Sequence, residues 1–171
     1  CAVLLTDDKI TINNIPDIID VNKLIEILKN LGVGCSSLKN GSYEFSASSI
    51  NLDYLKSDEF ISHAKSLRGS IMLVGPLLAR YNTASIPRPG GDKIGRRRLD
   101  THFINLEKLG AKLDYNSKNR IYNVETNGLV GADVLLDEAS VTGTANLIMA
   151  SVLAKGKTTI YNAACEPYIQ Q

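Results

Sequence analysis

The sequence has no tryptophan, few other aromatic residues and only three cysteines among its 171 residues. Cys1, Cys35 and Cys165 are odd in number and form no C-x-x-C pair, which argues against a disulfide framework or a zinc site. The longest apolar runs, such as residues 71–74, are far shorter than a membrane span. No signal peptide is visible. We therefore expect a cytoplasmic protein without a membrane partner.

An excess of charge of either sign is also lacking. The formal net charge is +1, so the chain as a whole has no electrostatic attraction for nucleic acid. Its basic character is concentrated at residues 96–98. Hydrophobic residues make up 44% of the chain and charged residues 22%, as is ordinary for a globular domain. The chain is long enough to bury a core, and because it lacks an initiator methionine we expect a piece of a longer protein.

The most specific pattern present is the loop at residues 89–98, which reads Pro-Gly-Gly-Asp-Lys-Ile-Gly-Arg-Arg-Arg. Its paired glycines bend the chain, Asp92 stands at the bend, and the arginines that follow can hold phosphate oxygens. The loop lies between a strand-like run and a helix predicted over 99–109, where α/β folds tend to bind ligands. The alternative is that Gly-Gly-Asp forms an ordinary turn and that the arginines lie in solvent at the start of a helix, with no ligand. The loop favours a site for a phosphorylated substrate.

Two pairs of similar segments indicate an internal repeat. Residues 28–34 match 106–112 at an offset of 78, and each segment is a helix end stopped by glycine with a hairpin-like pair of strands after it. Residues 9–14 match 157–162 at an offset of 148, close to twice the first. Both offsets fit three units of roughly 75 residues, the third beginning at residue 158.

Apolar spacing and turn residues predict the remaining elements. A helix is expected over 59–73, ended or kinked by Gly75-Pro76, and a strand over 132–136. A further helix is expected over 140–155, with Ser140 as its N-cap. Free N–H groups at this helix start suit a diphosphate, although a plain cap with nothing bound is the more common case.

Two other side chains have open alternatives. Arg68 is a solvated arginine by default, yet Gly69 and Ser70 beside it would let a ligand approach closely. His102 shows no metal-ligand spacing, and we expect it to be a structural or hydrogen-bonding residue. We expect no metal and no cofactor.

Motifs at residues 67–71, 74–80, 89–97, 100–102 and 162–167 resemble those of the bacterial UDP-N-acetylglucosamine enolpyruvyl transferases (1-carboxyvinyltransferases). They occur in the family's order over nearly the whole chain. The related transferases that act on shikimate 3-phosphate share the fold but not the Gly-Gly-x-x-Ile-Gly loop, and they are the alternative within this fold.

The resemblance implies an α/β (α+β) fold, an inside-out α/β barrel built from repeated strand–helix–strand units, with three units per domain and two domains. Residues 1–171 would form a single partial domain of about two and a half units. They would lack the opening Lys-Asn segment and the second domain, on which this domain packs. Because catalytic groups must be held together, we expect the chain alone to be inactive.

The family's reaction transfers the enolpyruvyl group of phosphoenolpyruvate to the 3-hydroxyl of UDP-N-acetylglucosamine and releases phosphate, the first committed step of peptidoglycan synthesis. Asp92 stands where most members have a cysteine that protonates the phosphoenolpyruvate methylene, and some members have aspartate there. The acid needs a pKa well above its usual value of about 3.9. Substrate phosphate would raise that pKa, whereas neighbouring Lys93 and Arg97 would lower it.

The resemblance also assigns substrate contacts. Arg97 would meet both the phosphate of phosphoenolpyruvate and the nucleotide diphosphate, with Arg68 close to the same charges. Glu138 stands where lysine is expected beside the uracil. The remaining assigned residues line the uridine or the diphosphate: Arg98, Leu99, Asp100, Thr101, Ala139, Ser140 and Val141.

The residues alone leave open two hypotheses that belong to other functional classes. A nucleic-acid-binding domain would use Arg96, Arg97 and Arg98 on phosphates, but the charges elsewhere are balanced. A non-catalytic scaffold domain is favoured only by Asp92 in the cysteine position.

Overall fold

The computed structural model describes residues 1–90 and 98–171, which form helices and three small β-sheets. The first sheet contains β1 (Ile10–Ile12), β2 (Gly34–Ser37) and β3 (Tyr43–Ser46) in the order β1-β3-β2, with antiparallel neighbours. Helix α1 (Ile19–Asn30) connects β1 to β2 and buries Ile25, Ile27 and Leu28 against the core.

The second sheet repeats this arrangement. It contains β4 (Thr83–Pro87), β5 (Lys112–Asn116) and β6 (Ile121–Glu125) in the order β4-β6-β5, again antiparallel, with helix α4 (Asp100–Lys108) before β5. Gly32 after α1 and Gly110 after α4 have φ angles of 104° and 93°, a conformation that glycine adopts most easily. The two segments matched in the sequence therefore end corresponding helices.

The third sheet has two parallel strands, β7 (Asp133–Leu135) and β8 (Thr159–Tyr161), connected by helix α5 (Val141–Ser151). A short helix α6 (Pro167–Gln170) follows β8. Strand β7 lies within the strand that the sequence predicts over 132–136, and β8 begins one residue after residue 158, where the sequence predicts that the third unit starts. None of the described helices has the length and apolarity that a bilayer crossing requires.

The helix predicted over 59–73 is wrong in its second half. Helix α2 (Asp58–Lys65) is followed by a 3-10 segment, Arg68–Leu73, and helix α3 (Val74–Tyr81) then begins. Gly75-Pro76 opens α3 instead of breaking a helix. Proline is tolerated there because a first-turn N–H has no partner within the helix.

A buried amide joins helix α5 to three other helical segments around the core. Asn146 in α5 accepts a hydrogen bond from Gly75 N–H at 2.7 Å through Oδ1. Its Nδ2 lies 3.1 Å from the carbonyl oxygen of Ile71 and 3.1 Å from Nδ1 of His102 in α4. Asn146 is 1% exposed, so these contacts supply the partners that a buried amide requires.

We expect Gly75→Ala to destabilise the fold. A Cβ at this position would overlap the backbone and side-chain oxygens of Asn146 and disturb the 2.7 Å hydrogen bond. Overpacking of this kind costs about 1–3 kcal/mol. Urea unfolding measures the loss. Gly69→Ala is the matched control, because its added Cβ would meet only side-chain atoms of Leu67 at 3.8 Å or more; equal losses in both variants would contradict the packing argument.

His102 is confirmed as a structural, hydrogen-bonded residue. It is 3% exposed, and burial, with a smaller effect of the Arg68 charge, lowers its pKa to about 4. The ring is therefore neutral near pH 7.

Stability should fall as the pH falls from about 6.5 towards 4, because the unfolded chain binds a proton at His102 before the folded chain does. Between pH 7 and 4.5 this linkage amounts to about 2 kcal/mol. Replacing the histidine with a side chain that does not titrate, in His102→Gln, should make the pH dependence shallower by that amount. Urea unfolding at several pH values compares the two slopes; parallel slopes would show that His102 is not the group responsible.

A candidate anion-binding site at the start of helix α5

Helix α5 begins at a serine cap, as the sequence predicts. Ser140 is extended, at φ −75° and ψ 121°, and its Oγ accepts a hydrogen bond from Gly143 N–H at 3.1 Å. The helix dipole places partial positive charge at this end. The start of α5 therefore suits an anionic group.

A cavity of about 410 Å³ opens at this helix start. That volume is in the range of small-molecule sites. Its walls bring together four residues that the sequence assigns to binding, Arg68, Arg98, Glu138 and Ser140, together with Ile71 and Thr142. These residues come from the 3-10 segment before α3, the segment just before α4, the loop from β7 into α5 and the first turn of α5.

Arg98 is held by two carboxylates at the rim of the cavity. Its Nη2 lies 2.7 Å from Oδ2 of Asp137 and 2.7 Å from Oδ2 of Asp100, and its Nε lies 3.0 Å from Oδ1 of Asp100. Hydrogen bonding to Asp100 raises the pKa of Arg98, and the same contact lowers the pKa of Asp100. The Arg98 side chain therefore braces the rim, because both carboxylates compete with any ligand for its guanidinium.

Arg68 is linked to this brace. Its Nη2 donates a hydrogen bond to the backbone carbonyl of Arg98 at 3.0 Å. A continuous chain of contacts therefore runs from Arg68 through Arg98 to Asp137, and its first two residues line the cavity. Asp137 was not predicted as a site residue, although an acidic residue shortly before a helix cap is a weak signal for such a contact.

The other predicted site residues differ in exposure. Leu99 and Thr101 are buried, at 7% and 2% exposure, and neither is among the residues that line the cavity. Ala139 is exposed and Val141 is half-buried on either side of Ser140. Asp92 and Arg97 lie outside the described residues, and their roles stay predictions.

Sequence reasoning missed the partners of His102. Thr142 Oγ1, on the cavity wall, lies 3.4 Å from Nε2 of this histidine, whose other ring nitrogen faces Asn146. Thr142 and Asn146 are four residues apart on α5, and this spacing on one helix face was the available signal.

Comparison with known sequences identifies relatives along the whole chain. The sequence pattern of the EPSP synthase (3-phosphoshikimate 1-carboxyvinyltransferase) family matches residues 1–171. A UDP-N-acetylglucosamine 1-carboxyvinyltransferase of Bacteroides fragilis is 58% identical over 171 residues, 100% of this chain and 39% of the relative. One of Borreliella burgdorferi is 46% identical over 169 residues, 99% of this chain and 38% of that relative. The chain thus spans about two fifths of these relatives' length.

Solved structures agree on the fold. The enolpyruvyl transferase NikO from Streptomyces tendae has a TM-score of 0.74 at 14% identity and aligns with 99% of this chain and 38% of its own. EPSP synthase from Acinetobacter baumannii has a TM-score of 0.68 at 16% identity, over 99% of this chain and 39% of its own. These likenesses confirm the α/β enolpyruvyl transferase fold, and with the match over residues 1–171 they lead to one conclusion. The chain belongs to the EPSP synthase (3-phosphoshikimate 1-carboxyvinyltransferase) family of enolpyruvyl transferases.

Proposed function

We propose that the complete protein transfers the enolpyruvyl group of phosphoenolpyruvate to the 3-hydroxyl of UDP-N-acetylglucosamine and releases phosphate. Identity of 58% over the whole chain to a UDP-N-acetylglucosamine 1-carboxyvinyltransferase is the observation that carries this proposal. Because the chain covers 39% of that relative, the activity is assigned to the complete protein. Residues 1–171 would supply one partial domain that packs on a second. The reaction would serve peptidoglycan synthesis in the cytoplasm, and through it cell shape and division.

The nucleotide diphosphate would lie at the start of α5. Val141 N–H would be one backbone donor, and Ser140 N–H would be the other once it exchanges its 2.8 Å hydrogen bond to the Glu138 carbonyl for one to the ligand. Arg68 also lies on the cavity wall. Glu138, where the family pattern has lysine, accepts hydrogen bonds that lysine cannot accept. Its carboxylate would therefore suit an N–H group of the uracil ring.

The described part of the site is not strongly cationic. Arg68 and Arg98 are offset by Glu138 in the cavity and by Asp100 and Asp137 at the rim. A ligand with several negative charges therefore requires further donors, and the arginines at residues 96–97 would supply them. We assign Arg97 to both the phosphoenolpyruvate phosphate and the nucleotide diphosphate, where it would stabilise developing negative charge.

Asp92 would protonate the methylene carbon of phosphoenolpyruvate while the sugar hydroxyl attacks the neighbouring carbon. Elimination of phosphate from the resulting adduct then gives the product. The carboxylic acid must be protonated before each turnover, so its pKa must be raised in the complex.

The alternatives have less support. Transfer to shikimate 3-phosphate is less favoured because four relatives at 55–58% identity act, by name, on UDP-N-acetylglucosamine. A nucleic-acid interface is disfavoured because Arg98 is already paired with two carboxylates.

A chimeric enzyme tests the function directly. Residues 1–171 replace the matching segment of the Bacteroides fragilis relative, which supplies the rest of the protein. We expect the chimera to release phosphate from phosphoenolpyruvate with UDP-N-acetylglucosamine and not with shikimate 3-phosphate, as a colorimetric phosphate assay measures. The unmodified relative is the positive control. A folded chimera that binds neither nucleotide sugar nor phosphoenolpyruvate would refute the proposal.

Asp92 should make the chimera resistant to fosfomycin, an epoxide that alkylates the loop cysteine of the family. A carboxylate is a far poorer nucleophile towards an epoxide than a thiolate. We expect the chimera with Asp92, the wild type here, to keep its activity in the presence of fosfomycin. Asp92→Cys should become sensitive to fosfomycin while it still turns over, and Asp92→Asn should lose most activity. Residual rates and intact mass measure these outcomes; an adduct mass on Asp92 in the wild type would exclude this explanation.

A further inference from the structure

The orientation of the Asn146 amide is fixed by two backbone groups. Gly75 N–H can only donate a hydrogen bond, so the atom 2.7 Å from it is Oδ1. The Ile71 carbonyl can only accept, so the atom 3.1 Å from it is Nδ2. Two independent contacts therefore place the NH₂ group of Asn146 towards His102.

This orientation determines which nitrogen of His102 carries the proton. Asn146 Nδ2 lies 3.1 Å from His102 Nδ1 and must donate, so Nδ1 accepts and has no hydrogen. A neutral imidazole then carries its hydrogen on Nε2. The tautomer thus follows from the backbone groups at Gly75 and Ile71.

The same chain of hydrogen bonds reaches the cavity. His102 Nε2–H faces Thr142 Oγ1 at 3.4 Å, so the threonine oxygen accepts. Its own hydroxyl proton is then available to donate elsewhere. Thr142 is exposed and lies on the cavity wall with Arg68 and Ser140. Its hydroxyl is therefore biased to act as a donor on the side of the helix where a ligand would bind.

We propose that Thr142 is a binding residue whose hydroxyl donates a hydrogen bond to a phosphoryl oxygen of the ligand at the start of α5, and that His102 and Asn146 are positioning residues that set this donor. The inference rests on the proposed function, because that function places a diphosphate in the cavity. A hydrogen bond to a charged oxygen is stronger than one to a neutral oxygen, so this single hydroxyl contributes measurably to affinity.

Isothermal titration calorimetry tests whether the Thr142 hydroxyl binds the ligand. It measures the affinity of the chimera for UDP-N-acetylglucosamine. Thr142→Val keeps the shape and removes the hydroxyl, and we expect it to weaken binding about tenfold. Thr142→Ser keeps a hydroxyl and should bind within about twofold of the wild type. Thr11→Val is the matched control, because Thr11 is an exposed threonine in β1 outside the cavity. Thr142→Val binding as tightly as the wild type would overturn the role of Thr142.

A second measurement tests the positioning residues without depending on activity. Long-range ¹H–¹⁵N spectra of the chimera at pH 7 should show the His102 ring protonated on Nε2 and not on Nδ1. Removing the ring, in His102→Phe, should also shrink the effect of Thr142→Val, because the hydroxyl loses its preferred direction. A proton on Nδ1, or equal Thr142→Val effects in both backgrounds, would overturn the positioning role.

These results separate the two proposals. If the folded wild-type chimera does not bind UDP-N-acetylglucosamine, the proposed function fails. If it binds and Thr142→Val has no effect, only the role of Thr142 fails.

Discussion

One buried amide fixes the geometry from which the candidate site is built. Asn146 connects the start of α3 through Gly75, the preceding 3-10 segment through Ile71 and α4 through His102. The 3-10 segment supplies Ile71 itself to the cavity wall, Arg98 lies four residues before His102, and Thr142 lies four residues before Asn146. Aspartate could not donate to Ile71, and leucine would leave buried backbone groups without partners, a loss of about 1–3 kcal/mol per group. The cavity thus depends on an amide at this position.

A second buried side chain connects helix α3 to the chain that precedes and follows the first sheet. Nη1 of Arg80 in α3 lies 3.0, 2.9 and 3.0 Å from the carbonyl oxygens of Leu4, Thr6 and Ala47, which share its two hydrogens, and the guanidinium pairs with Asp7. A largely buried guanidinium is tolerated when its donors are satisfied in this way. The Arg98 brace is different, because its partners are exposed and such pairs contribute little to stability. Its consequence is the placement of the Arg98 carbonyl, which holds Arg68.

Local patterns predicted much of the fold. Helices α4 and α5 and both hairpins follow from apolar spacing, the Ser140 cap and glycine stops, all of which act within a few residues. The start of α3 could not be predicted in the same way. Its cap residue, Leu73, has no capping side chain, and the N–H of Gly75 is satisfied by Asn146, 71 positions away in the sequence. From sequence alone, a proline in the first turn of a helix cannot be distinguished from one that ends a helix. The hydrogen-bond partner that would show the difference lies far away in the chain. Asp137 was missed for the same reason, because its contact with Arg98 depends on how β7 and α4 are brought together.

The contrast between two helix starts explains where a ligand would bind. Both α3 and α5 begin with first-turn N–H groups that the helix itself leaves without partners. In α3 the Gly75 N–H is bonded to Asn146, Pro76 has no N–H, and residues 74–76 are buried. In α5 the cap takes the Gly143 N–H, while Ser140 is only half-buried and Thr142 is exposed on the cavity wall. The protein therefore uses the start of α3 for packing and leaves the start of α5 accessible. Asn146 acts at both places, because it accepts from Gly75 N–H and, through His102, faces the hydroxyl of Thr142.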